Sequence, residues 1–251
     1  MVNNGVGIDI KNLSKSFGPV PVLKSLDLQI QPGEFVALVG KSGCGKSTLL
    51  RLISGLDSPD HGSVEIDNSK RQKINPEVRY LFQEARLLPW KTVLENVVLG
   101  SPMRDVNKAK QALQEVDLKG REDEWPAVLS GGQKQRTSLA RALVGNPKVL
   151  LLDEPLGALD ALTRINMQAL IEKLWIEQGF TVVLVTHDVS EAVYLANRVI
   201  LIEDGNIALD KLITLARPRA RDSSFAYFEK HILDRVMKNK MTDPVVESFS
   251  I

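Results

Sequence analysis

The chain is poor in the features that would place it outside a cell or within a lipid bilayer. Cys44 is its single cysteine, so no internal disulfide can form, and one thiol suits a reducing compartment. No N-terminal apolar segment resembles a signal peptide, and no run approaches the roughly 18–20 apolar residues of a membrane span. An excess of one charge is missing as well. The 32 basic residues face 31 acidic ones, a net charge of +1, which gives no reason to expect nucleic acid or an anionic membrane as partner. Internal repeats, low-complexity tracts and long charge runs are absent. What remains is the expectation of a soluble cytoplasmic protein. Its 251 residues, 43% of them hydrophobic, are enough to bury the core of one large domain or two small ones.

Three short apolar runs stand out against this background: FVALVG (35–40), KVLLLDEP (148–155) and TVVLVTHD (181–188). They are rich in Val and Leu and apolar at successive positions, as strands buried on both faces of a parallel sheet must be. Helical patterns follow at Lys46–Ser54, Ala161–Gln178 and Ser190–Ala196. Strand alternating with helix predicts an open α/β sheet, with ligands gathered at the carboxyl ends of its strands. The first 35 or so residues and the 57–82 stretch alternate more and are broken by Gly, Pro, Asn and Asp, which reads as antiparallel sheet. Residues 85–147 read mostly as helix. A last amphipathic helix is expected at FAYFEKHILDRVMKN, and TDPVVESFSI (242–251) reads as a frayed tail.

GKSGCGKS fits the G-x-x-x-x-G-K-[ST] pattern at Gly40, Gly45, Lys46 and Ser47, between a predicted buried strand and a predicted helix. Glycines let such a loop wrap phosphates closely. Lys46 then neutralises the β and γ groups, and Ser47 offers a hydroxyl to Mg²⁺. The whole stretch Gly40, Lys41, Ser42, Gly43, Cys44, Gly45, Lys46, Ser47 and Thr48 is expected at the nucleotide, with Cys44 a tolerated small residue. KVLLLDEP puts two acids where a buried strand ends. Asp153 suits the Mg²⁺ shell and Glu154 the polarising of an attacking water, the bland alternative for each being a helix cap or a loop acid. His187 ends the third buried strand on the same edge of the sheet, which points to the γ-phosphate, the alternative being a structural histidine; His61 and His231 read as surface histidines.

LSGGQ at 129–133 opens another helix, and free N–H groups at a helix start favour an anion. Together with the P-loop and the tandem acids, this stretch makes the chain resemble the nucleotide-binding subunits of ABC transporters over nearly its whole length. The fold so implied is α/β: a P-loop NTPase (RecA-like) core, an N-terminal antiparallel β subdomain and an inserted α-helical subdomain. The cassette would cover 1–221, with the helical part at about 85–147, and 222–251 would hold the C-terminal helix and tail. The resemblance implies ATP and Mg²⁺ as cofactors and ATP hydrolysis coupled to transport as the activity. It places Phe17 against adenine, Gln83 between Mg²⁺, the attacking water and the membrane partner, and Asp160 in the loop linking two active sites. It reinforces the γ-phosphate role of His187. On the residues alone, Phe17 could instead be core, Gln83 a surface amide and Asp160 a helix cap.

In this family two copies pair head to tail, so Ser130, Gly131, Gly132 and Gln133 of one chain would meet the nucleotide held by the other. One cassette without a membrane span implies two separate permease subunits, and a periplasmic solute-binding protein acting indirectly. LFQEARLLPWKTVLENV (81–97), DEPLGALDALTR (153–164) and RPRARD (217–222) resemble the nitrate, taurine and aliphatic sulfonate importers, nearest to the sulfonate group. The expected role is thus to energise uptake of a small anionic solute from the cytoplasmic face of a bacterial inner membrane. With so little sequence after the cassette, the regulatory domain some sugar importers append is not expected. Within 85–96, ARLLPWKTV displays Leu88 and Trp90 either to the membrane subunit or to the core. A soluble mechanical ATPase of the same family and a small-molecule kinase are the rival classes. The first would carry tandem cassettes or coiled-coil insertions, and the second has no use for LSGGQ.

Overall fold

The computed structural model describes residues 4–67, 69–70 and 74–238. The expected tail at 242–251 lies outside them. Two sheets form. The smaller is antiparallel, in the order β2 (Val20–Ile30), β1 (Ile8–Phe17), β4 (His61–Ile66), β5 (Ser69–Lys70). The larger has the order β10 (Asn206–Leu212), β9 (Arg198–Glu203), β3 (Phe35–Val39), β8 (Thr181–Val185), β7 (Val149–Asp153), β6 (Val78–Leu81). All its pairs are parallel except β9 with β10.

The three apolar runs are the central strands β3, β7 and β8, buried along their length but for Asp153 at the end of β7. Strand alternation sends their side chains to opposite faces. Ala37, Leu150, Leu152 and Leu184 join a core shared with α2 (Val93–Val98), α3 (Val106–Glu115), α4 (Gly131–Leu143), α5 (Ala161–Gln178), α6 (Val189–Leu195) and α7 (Ser223–Lys238). Val36, Leu38, Leu151 and Val185 face a second core, closed by α1 (Lys46–Ser54) and the antiparallel sheet. A parallel sheet needs both faces covered, and here unlike layers cover them.

Several elements differ from the sequence pattern. β6 lies in the stretch read as antiparallel, yet it pairs parallel to β7 through Tyr80↔Leu151 and Leu81↔Leu152. A four-residue strand is too short to show its partner's direction in its own pattern. Helix also fills less of 85–147 than expected, because Pro89, Gly100, Pro102, Gly120 and Pro126 divide it. The irregular 85–92 segment is held by the buried Asn96. Its Oδ1 accepts from Leu88 N–H at 2.8 Å, and its Nδ2 donates to the carbonyls of Leu88, Lys91 and Thr92 at 3.1, 3.0 and 2.9 Å.

Asn96→Ala would leave the Leu88 N–H and the Lys91 carbonyl without these partners, at about 1–3 kcal/mol for each one not rescued by water, while the Leu88 and Thr92 carbonyls keep the backbone N–H groups of Lys91 and Asn96. The expected loss is roughly 3 kcal/mol of unfolding free energy, measured by urea denaturation. A loss below ~1 kcal/mol would mean that the 85–92 segment orders itself without this amide.

Candidate functional site

β3 leads into the loop 40–45, where Gly40, Gly43 and Gly45 have φ of 146°, 81° and 106°. Non-glycine side chains disfavour these angles, and a Cβ on Gly40 would stand 2.3 Å from the Ile202 carbonyl oxygen. The loop ends at α1, whose N-cap is Gly45, with no side chain capping its first turn. The first N–H groups of the helix are thus left to a ligand, an arrangement suited to phosphate. Lys46 is buried, and its ammonium donates to the carbonyls of Gly40 and Lys41 at 2.9 and 2.8 Å. Phe17, 52% exposed, lines a cavity with Val22, Ser42, Gly43, Lys46, Ser47, Thr48 and Glu154. It is therefore a rim residue, not core.

Ser47 donates to Asp153 Oδ1 at 2.8 Å, joining the first turn of α1 to the end of β7. One residue on, Glu154 adopts a left-handed φ of 46° while its N–H donates to the Val185 carbonyl at 2.9 Å. That conformation costs about 1–2 kcal/mol and is held because the neighbouring strand fixes the backbone. It turns the Glu154 side chain toward β8, where Oε2 lies 3.2 Å from Nδ1 of the largely exposed His187. A Cβ on Gly157 would stand 3.7 Å from the exposed Gln83 amide nitrogen and 3.9 Å from Glu154 Oε2. Gln83, Glu154 and His187 thus border one space beside the P-loop.

The signature residues sit elsewhere, on the rim of α4. Ser130 is its N-cap and forms a capping box: Gln133 N–H donates to Ser130 Oγ at 3.3 Å, and Ser130 N–H donates to Gln133 Oε1 at 2.9 Å. Gly131 has open space around it, whereas a Cβ on Gly132 would meet the Thr163 methyl carbon at 2.4 Å. Asp160 caps α5, accepting from Thr163 N–H at 3.0 Å and from its hydroxyl at 2.6 Å, bonds that lower its pKa. Trp90 is 68% exposed and Leu88 partly so.

Two residues near these groups escaped sequence reading. Tyr80 donates its phenol proton to Asp153 Oδ2 at 2.7 Å, and burial together with that carboxylate raises its pKa. Glu191 lies buried beneath the His187 turn. Its Oε2 accepts from the Thr186 hydroxyl at 2.7 Å, and Oε1 has no partner. Burial raises its pKa to about 7, with the Thr186 bond opposing and Asp188 reinforcing the shift. No pattern of spacing marks either residue, since each is defined by a partner distant in the fold or by depth.

Fold and site together define a P-loop ATPase. The chain belongs to the ABC transporter family, whose pattern matches residues 23–157. It is 64% identical over 234 residues to the aliphatic sulfonates import ATP-binding protein SsuB of Zymomonas mobilis, covering 93% of this chain and 98% of the relative. The SsuB of Albidiferax ferrireducens is 55% identical, with 98% of this chain and 88% of the relative covered. Among solved structures, a dimeric structure of the ABC transporter cassette MJ0796 matches with a TM-score of 0.74 and 36% identity, over 82% of this chain and 98% of that one. A post-hydrolysis dimer of the same cassette, bound to ADP and Pi, matches with a TM-score of 0.72, at the same identity and coverage.

The buried carboxyl makes stability depend on pH. Below about 4.5 Glu191 is protonated in folded and unfolded chains alike; between 4.5 and about 7 only the unfolded chain ionises, so folding loses ground as pH rises, until both forms are ionised. Glu191→Gln is neutral in both states. Its unfolding free energy relative to the parent should therefore improve from pH 5 to pH 8 in urea titrations. A difference that is the same at both pH values would place the Glu191 titration outside this window.

Proposed function

We propose that this chain is the ATP-hydrolysing subunit of an importer of aliphatic sulfonates, acting at the cytoplasmic face of a bacterial inner membrane. The observation that carries the catalytic part is the meeting of Glu154, His187 and the P-loop at the ends of three neighbouring parallel strands. Relatives 54–64% identical over nearly the whole chain are named aliphatic sulfonates import ATP-binding proteins, which supports the solute class. No described helix is long and apolar enough to cross a membrane. Transport would accordingly need permease subunits, and the exposed Trp90 with Leu88 is the surface offered to them.

In this reading the loop from Gly40 to Thr48 wraps the phosphates, Lys46 neutralises them and Phe17 stacks on adenine. Ser47 and Asp153 fit Mg²⁺ because hydroxyl and carboxylate oxygens stand together at the phosphate loop. Bound there, Mg²⁺ would neutralise charge on the β and γ groups, with Gln83 at its edge. Glu154 polarises the attacking water, and His187 contacts the γ-phosphate. Ser130, Gly131, Gly132 and Gln133 serve the nucleotide of a second copy, to which Asp160 links. The dimeric state of the related MJ0796 structures supports this pairing.

Glu154→Gln keeps the shape but loses the basicity, so hydrolysis should fall roughly 10²–10⁴-fold while ATP binding persists. ATP should then hold two chains together, visible by light scattering. Full turnover by this variant would assign the base to another residue. Uptake of labelled ethanesulfonate by cells carrying the chain with its permease should stop with the same substitution; labelled nitrate or taurine taken up in its place would correct the solute.

The shared site can be tested by mixing inactive proteins. Lys46→Ala disables the P-loop, and Ser130→Arg places a bulky side chain where α4 must approach the partner's γ-phosphate. Each homodimer has two damaged sites, but a mixed dimer has one whole site and one doubly broken. Mixing should restore some hydrolysis, or occlusion of one nucleotide per dimer. If mixed dimers form and neither signal returns, the two motifs do not serve one nucleotide.

A further inference from the structure

The structure assigns Tyr80 as a positioning residue for the metal-side carboxylate, and this rests on reading Asp153 as the acid that faces Mg²⁺. Tyr80 pairs with Leu151 across β6 and β7, so Asp153 lies two residues, about 6.6 Å of strand, further on and on the same face. The phenol leans along that face and places its oxygen 2.7 Å from Asp153 Oδ2. Ser47 on α1 donates to the other oxygen, Oδ1, at 2.8 Å. Two hydroxyls from separate elements thus grip the two oxygens of one carboxylate, which fixes its plane and leaves it no free rotation.

Packing alone does not call for a phenol here. The ring is partly buried against the core that holds Leu151 and Val185, where an apolar side chain would serve and would need no hydrogen-bond partner. Beyond the ring, Phe82 lies at 4.4 Å between centroids, and the Arg86 guanidinium sits 3.7 Å over Phe82. The strand that carries Tyr80 continues directly to Gln83, so the carboxylate is held by the same segment that presents the glutamine. Metal ligands whose outer hydrogen bonds are removed typically lose 10–100-fold in metal affinity. The hydroxyl of Tyr80 occupies that outer position toward Asp153.

The test compares the full chain with Tyr80→Phe and Asp153→Asn, reading Mn²⁺ binding to the ADP complex by the electron paramagnetic resonance of free Mn²⁺. ADP binding in EDTA and thermal unfolding are measured in parallel. Tyr80→Phe should weaken Mn²⁺ about 10-fold while ADP affinity in EDTA stays unchanged, and Asp153→Asn should weaken it at least as much. Unchanged Mn²⁺ affinity in Tyr80→Phe, with Asp153→Asn impaired, overturns the role of Tyr80 and leaves the Asp153 reading standing. Unchanged affinity in both variants overturns the Asp153 reading itself. Equal losses of ADP affinity with and without metal in Tyr80→Phe would make the phenol a packing group only, which also overturns the proposal.

Discussion

Strands buried on both faces can carry no charge along their length, so charged groups accumulate where such strands end. In this molecule the ends are level. Leu38, one residue before the end of β3, pairs with Val185, and Val185 with Asp153, which brings the ends of β3, β8 and β7 to within a residue of one line. The final ladder bonds then tie the departing loops to the neighbouring strand: Thr186 N–H donates to the Leu38 carbonyl at 3.2 Å, and Glu154 N–H to the Val185 carbonyl at 2.9 Å. The phosphate loop, the tandem acids and the histidine leave the sheet from that common line. Shifting β7 by a residue would displace Asp153 from Ser47 and Glu154 from His187 together.

That line was legible in the sequence because its two ingredients are local. A run of Val and Leu announces a doubly buried strand, and the polar residues after it announce the strand's end. The P-loop, Asp153, Glu154 and His187 could therefore be placed without knowing the strand order. β6 could not, since VRYL carries no run long enough to show that it lies beside β7, and Tyr80 reads as one more apolar position. Asn96 and Glu191 reveal themselves only by what surrounds them. Both look like ordinary polar residues of helices, and both are buried.

Helix starts divide into two kinds, and the difference bears on the site. Thr92, Asp105, Ser130, Asp160 and Asp188 all cap their helices through their own side chains. Gly45 does not, so α1 alone among these keeps its first donors free of any side chain. Ser130 with Gln133 spells a capping box, S-x-x-Q, and the structure forms that box. This does not remove α4 as an anion site. The box satisfies the N–H groups of Ser130 and Gln133, while those of Gly131 and Gly132 make no intrahelical bond in the first turn. A rigid cap that leaves two donors at an exposed helix start suits a ligand arriving on another surface better than a flexible loop would.

His187 poses the opposite problem, an exposed ring that must be held in place. It precedes α6, and a helix of this length is too short to be stable by itself in water. Its position must therefore come from both ends. At the start, Asp188 accepts from Glu191 N–H at 3.1 Å, and Thr186 bridges Asp188 N–H to the Glu191 carboxyl. At the end, the buried Arg219 donates to the carbonyls of Val193, Tyr194 and Ala196 at 2.6, 3.0 and 2.7 Å, and Arg217 joins Leu195 to Glu172 of α5. Burial lowers the Arg219 pKa to about 10, still far enough above neutrality to keep the guanidinium charged against those carbonyls. A cation at the carboxyl end and acids at the amino end both complement the helix dipole. The backbone beneath His187 is thus fixed from two sides while its ring, 66% exposed, lies 3.2 Å from Glu154 Oε2.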